Sequence, residues 1–77
     1  MSGPELGHVL RHLYESKIEF VIVTLKDRGW AVAIGDAANV IEAEETFGPD
    51  ELDQVASWLI VAACRRYPTS KFATIYG

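Results

Sequence analysis

The stretch from Gly48 to Tyr67 constrains this chain more than any other, because it reads as one long helix with too little polar surface to stand alone. Gly48-Pro49 opens it, and proline suits the first helical position, where its missing N–H costs nothing. Asp50, Glu51 and Asp53 put negative charge on the first turn and Arg65 and Arg66 put positive charge on the last, both as the helix dipole prefers. Pro68 stops the run. Between these signals Leu52, Val55, Ala56, Leu59, Ala62 and Ala63 recur at helical spacing as one apolar stripe. Trp58, Ile60, Val61 and Cys64 fall outside that stripe. The far side of the helix therefore needs a cover, from the C-terminal segment or from another molecule.

Seventy-seven residues make a single domain, 1–77. A domain of this size buries only about 60% of its unfolded surface, and its core rarely supplies more than roughly 3–5 kcal/mol. Disulfides, a metal or oligomerisation commonly add the rest. Cys64 is the only cysteine, which rules out an intrachain disulfide and a four-thiolate zinc site. An apolar fraction of 49% speaks against disorder. Gly3, Pro4 and Glu5 are the wrong opening for a signal peptide. The longest nearly apolar run, Val55 to Cys64, is about half of the roughly 20 residues needed to cross a bilayer. The expectation is a cytoplasmic protein without membrane attachment.

Charge is unevenly distributed. From Asp36 to Asp53 there are seven acids, Asp36, Glu42, Glu44, Glu45, Asp50, Glu51 and Asp53, and no Lys or Arg. The remainder carries four acids against seven bases, so a net charge of −4 hides a chain polarised along its length.

In chain order, the first element is a helix from about Pro4 or Glu5 to Ser16, with Leu6, Val9, Leu10 and Leu13 as its buried stripe. His8, Arg11, His12 and Glu15 project from the other face. Two histidines four apart can hold a divalent metal, but no third ligand lies nearby in sequence, so the reading is a solvated face and no metal site. A hairpin follows. Ile18 to Leu25 and Trp30 to Ile34 are rich in β-branched and aromatic residues, and Lys26-Asp27-Arg28-Gly29 joins them. A type I turn at Asp27-Arg28 with Gly29 left-handed pairs Lys26 with Trp30, Thr24 with Val32 and Ile22 with Ile34. One face then carries Phe20, Ile22, Trp30, Val32 and Ile34; the other carries Val21, Val23, Leu25, Ala31, Ala33 and Gly35. Both are apolar, which is unusual for an antiparallel hairpin.

A third strand, about Val40 to Thr46, carries Glu42, Glu44 and Glu45, and charges along a strand blunt a sheet edge against aggregation. After the long helix, Lys71 to Tyr76 alternates as a short terminal strand, favoured over a last helical turn and suited to cover Trp58, Ile60 or Val61. The fold class is thus α+β: helix, three-stranded antiparallel sheet, helix (αβββα), with a short C-terminal strand.

That order resembles the element order of double-stranded RNA-binding domains, in topology alone. Those domains present lysines at the start of the second helix to span phosphates. Pro49-Asp50-Glu51-Leu52-Asp53 stands there instead and repels them. Direct nucleic-acid binding is not expected.

Catalytic patterns are lacking too. The six glycines are scattered and form no phosphate loop. Cys64 sits in the most apolar part of the helix and reads as a small hydrophobe rather than a nucleophile. Ser16, Ser57 and Ser70 have no adjacent base. Glu42 and Glu44 share a strand face as a possible carboxylate pair, but on an edge with no evident cleft. No cofactor and no enzymatic activity are expected.

Two readings remain. In the first, the protein is a small acidic binding module. Glu42, Glu44, Glu45, Asp50, Glu51 and Asp53 would imitate a row of phosphates and dock on a partner's basic, nucleic-acid-binding surface. Phage inhibitors of the anti-CRISPR type, nuclease immunity proteins and some antitoxins are small acidic proteins of this kind. In the second it is a small homo-oligomeric structural protein whose acids serve only solubility. The apolar surplus predicts a homodimer in either case, with Phe20, Ile22, Trp30, Val32, Ile34, Trp58 and Val61 at its interface.

Overall fold

Helical and strand periodicities resolve into six elements: α1 (Leu6–Glu15), β1 (Phe20–Leu25), β2 (Gly29–Asp36), β3 (Val40–Phe47), α2 (Leu52–Arg66) and α3 (Lys71–Tyr76). The computed structural model describes residues 5–36 and 40–77, with side chains at all of these except 36 and 40–42. The αβββα order of an α+β domain holds, and a third helix follows it.

α1 buries Val9 and Leu13 completely, with Leu6 and Leu10 packed beside them, as its stripe requires. Its end is a Schellman turn. Ile18 N–H donates to the Leu13 carbonyl and Lys17 N–H to that of Tyr14, with Lys17 at φ 61 where glycine is usual. Ile18 then drops into the core at 4% exposure.

The strands form one antiparallel sheet in the order β1-β2-β3. The hairpin closes one residue earlier on each strand than the sequence predicts. Leu25 pairs with Gly29, Thr24 with Trp30 and Ile22 with Val32. The reason lies in the turn, where Arg28 N–H donates to the Leu25 carbonyl and Asp27 itself takes the left-handed backbone at φ 58, which aspartate tolerates. A shift of two in the pairing leaves every side chain on its predicted face. Gly29 still has a positive φ of 104 and lies so close to the Phe47 carbonyl that a Cβ there would collide with it.

β3 pairs with the other side of β2, Trp30 against Phe47 and Ala33 against Glu44, with an irregularity at Ile34/Gly35 that leaves Glu42 without a pairing partner. β1 and β3 are therefore the two edges.

α2 lies on β2 and β3, and α1 and α3 pack against α2. Val32, Ile34, Val55, Leu59, Ala63 and Phe72 all have 0% exposure in the resulting core. The small side chains Ala56 and Ala63 of α2 are wholly buried and let the helix settle closely. α2 begins at Leu52 rather than at Pro49. Residues 48–51 form a turn closed by Glu51 N–H to the Gly48 carbonyl, and the Glu51 carboxylate accepts from Gly48 N–H at 2.7 Å.

The tail corrects the sequence reading, since Lys71–Tyr76 is helical. Ser70 caps it, accepting at Oγ from Ala73 N–H at 3.1 Å, and Phe72 and Tyr76 stack one turn apart with centroids 4.6 Å from each other. Alternation over six residues is compatible with either period, and burial of Phe72 favours the helix. Among the described residues no helix is long and apolar enough to cross a membrane.

Candidate binding surface

Two surfaces flank β3. The first is its acidic edge, which runs on into the start of α2. Glu44, Glu45, Asp50, Glu51 and Asp53 are all exposed. β3 pairing sets Glu44 opposite Ala33 and Glu45 opposite Val32, so these two acids leave the strand on opposite sides. Asp53 lies in the first turn of α2, where the unpaired N–H groups favour a carboxylate. The side chain of Glu42, named with this group, lies outside the described residues. None of the five described acids forms an ion pair among the described residues; the two ion contacts present, Glu5–His8 at 3.7 Å and Arg11–Glu15 at 3.4 Å, are both on α1. Glu51 is the one member with a local task, the hydrogen bond to Gly48 N–H. Chemically, this edge is a string of unneutralised carboxylates along a strand–turn–helix junction.

The second surface is the sheet face turned away from the helices. Val21, Val23, Ala31, Ala33, Glu44 and Thr46 line an open depression of about 370 Å³ on it. Val23 is 49% exposed.

This arrangement corrects the expected interface at Val32 and Ile34. Val32 and Ile34 are wholly buried under the chain's own helices and offer no surface to a second molecule. Phe20, Ile22, Trp30 and Trp58 are half-buried against the core, Trp58 edge-on to Phe47 with ring centroids 6.1 Å apart. Val61 alone of the seven remains open, at 55%. The physical reason is that α2 crosses the bulky face of the sheet, so the apolar surplus moves to the shallow Ala31/Ala33 face. No local sequence signal selects between the two faces, because both are apolar.

The histidines separate. His8 is exposed near Glu5, as a solvated face requires. His12 is half-buried, with Nδ1 2.7 Å from the Tyr76 hydroxyl and the two rings edge-on at 5.4 Å. His12 thus ties α1 to α3 and is no part of a solvated face, a correction that depends on where the tail packs. Burial pushes the Tyr76 phenol up from its ordinary value. It also pushes up the half-buried Cys64 thiol, which keeps the nucleophilic thiolate scarce. Among the described residues no three His, Cys, Asp or Glu side chains gather as a metal site.

No protein-family model, curated protein or solved structure matches this chain.

Proposed function

We propose that the protein is a non-enzymatic binding module that docks the acidic β3–α2 edge on a basic surface of a protein partner. The observation that carries this reading is the run of exposed acids, Glu44, Glu45, Asp50 and Asp53, without an ion pair among the described residues. Like charges so close in sequence repel one another. At physiological salt the Debye length is about 8 Å, so neighbours still feel the repulsion. A basic groove on a partner relieves it, steers association and makes that association salt-dependent. A surface that normally holds nucleic acid fits this description, which makes the protein an inhibitor or regulator of the phage anti-CRISPR kind.

Edge protection of β3 and the dipole of α2 are the competing account of the same acids. Charge reversal separates the two. Glu42→Lys, Glu44→Lys and Glu45→Lys together leave the fold intact under either account. Under the proposal they abolish affinity capture of the partner from host lysate, and wild-type capture weakens as salt rises. Equal capture by the triple variant at every salt concentration refutes the docking role. The alternative, a small homo-oligomeric structural protein, is favoured by a different observation, the open apolar sheet face around Val23.

A further inference from the structure

The two edges of the sheet are built differently. β3 carries Glu42, Glu44 and Glu45, whereas β1 is Phe-Val-Ile-Val-Thr-Leu, six residues without a charge, a proline or a glycine. Charges, prolines and bulges are the usual means by which an edge strand avoids pairing with another chain. β1 has none of them. It is paired on one side only, by β2, in an unbroken register from Phe20 to Leu25. Among the described residues no backbone hydrogen bond reaches its outer side.

We propose that β1 is a dimer seam, along which two copies pair antiparallel into one continuous six-stranded sheet. Two observations select a second copy as the occupant. An antiparallel strand pair is self-complementary under a two-fold axis, and β1 brings no charge to the seam that its twin would repel. Joining through β1 also sends the two acidic β3 edges to opposite ends of the sheet. For a chain of net charge −4 that keeps the two acidic edges apart. Half-buried Phe20 and Ile22 on the helix side and Val21 and Val23 on the open side would then meet their counterparts across the seam. The inference stands independently of the acidic docking edge, which lies two strands away.

Sedimentation equilibrium at tens of micromolar tests it, with Val23→Lys as the seam variant and Val61→Lys as a control on the exposed side of α2. Val23 is exposed on the open face, so lysine there guards the edge without entering the core. The expected result is twice the 8.5 kDa chain mass for wild type and Val61→Lys, and the single-chain mass for Val23→Lys with its circular dichroism unchanged. A monomeric wild type, or a dimer that survives Val23→Lys, overturns the proposal. If Val23→Lys fails to fold, hydrogen exchange on wild type decides. Protection at every second amide of residues 20–25 that rises with concentration supports the seam, and its absence overturns it.

Discussion

Phe72 provides the sharpest test of how the chain closes its core. It is the largest fully buried side chain, and it belongs to a helix of only six residues. So short a helix has almost no stability of its own, so its docking rests mainly on that ring, with the Tyr76–His12 contact beside it. Phe72→Ala removes the ring and leaves a cavity between α2 and α3, which costs about 3–5 kcal/mol. A 77-residue domain has roughly 4–12 kcal/mol in total. The substitution therefore consumes between a quarter and all of the stability, and at about 4–8 °C per kcal/mol the melting temperature falls by roughly 12–40 °C. Ile75→Ala is the matched control: same helix, 47% exposed, expected to cost less than about 1 kcal/mol. Urea unfolding followed by tryptophan fluorescence reads both. Costs equal to within about 0.5 kcal/mol would show that α3 is not docked through Phe72.

Tyr76→Phe should cost about 0.5–1.5 kcal/mol through the lost His12 hydrogen bond, and a double-mutant cycle with His12→Gln should show that the two effects are coupled rather than additive. The same variant tests alkaline stability. Because burial raises the folded-state pKa of Tyr76, its contribution is complete below the unfolded value of about 10 and is lost as pH rises through the folded value. Wild type should therefore lose more stability than Tyr76→Phe above pH 10, and identical pH profiles would refute this. Lys17→Gly should stabilise the protein by up to about 1 kcal/mol by relieving the left-handed backbone at the end of α1, read as a higher urea midpoint at unchanged slope. Gly29→Ala should destabilise by at least about 1–3 kcal/mol, since it adds both a strained φ and a collision with the Phe47 carbonyl; a neutral result in thermal melts would contradict the hairpin geometry.

Much of this protein is legible in one dimension. The stripes of α1 and α2 mark their buried faces because helical periodicity is local, and Val9, Leu13, Val55 and Leu59 are buried as their spacing requires. Strand alternation likewise assigns β1 and β2 side chains to two faces, and the assignment survives a wrong register because the error is even. The acidic run is visible by inspection, and so is the edge character of β3. Other features depend on long-range packing. Sequence alone left open which apolar face of the hairpin α2 would cover, and Val32 and Ile34 accordingly moved from an expected interface to the core. Six alternating residues at the tail fit two periods, and only the space beside α2 selects the helix that buries Phe72. The His12–Tyr76 contact joins residues 64 positions apart, beyond any local pattern. That β1 is an edge follows from β3 pairing with β2 rather than with β1, a choice made in three dimensions, where hydrogen-bonding groups and apolar surface must be satisfied together.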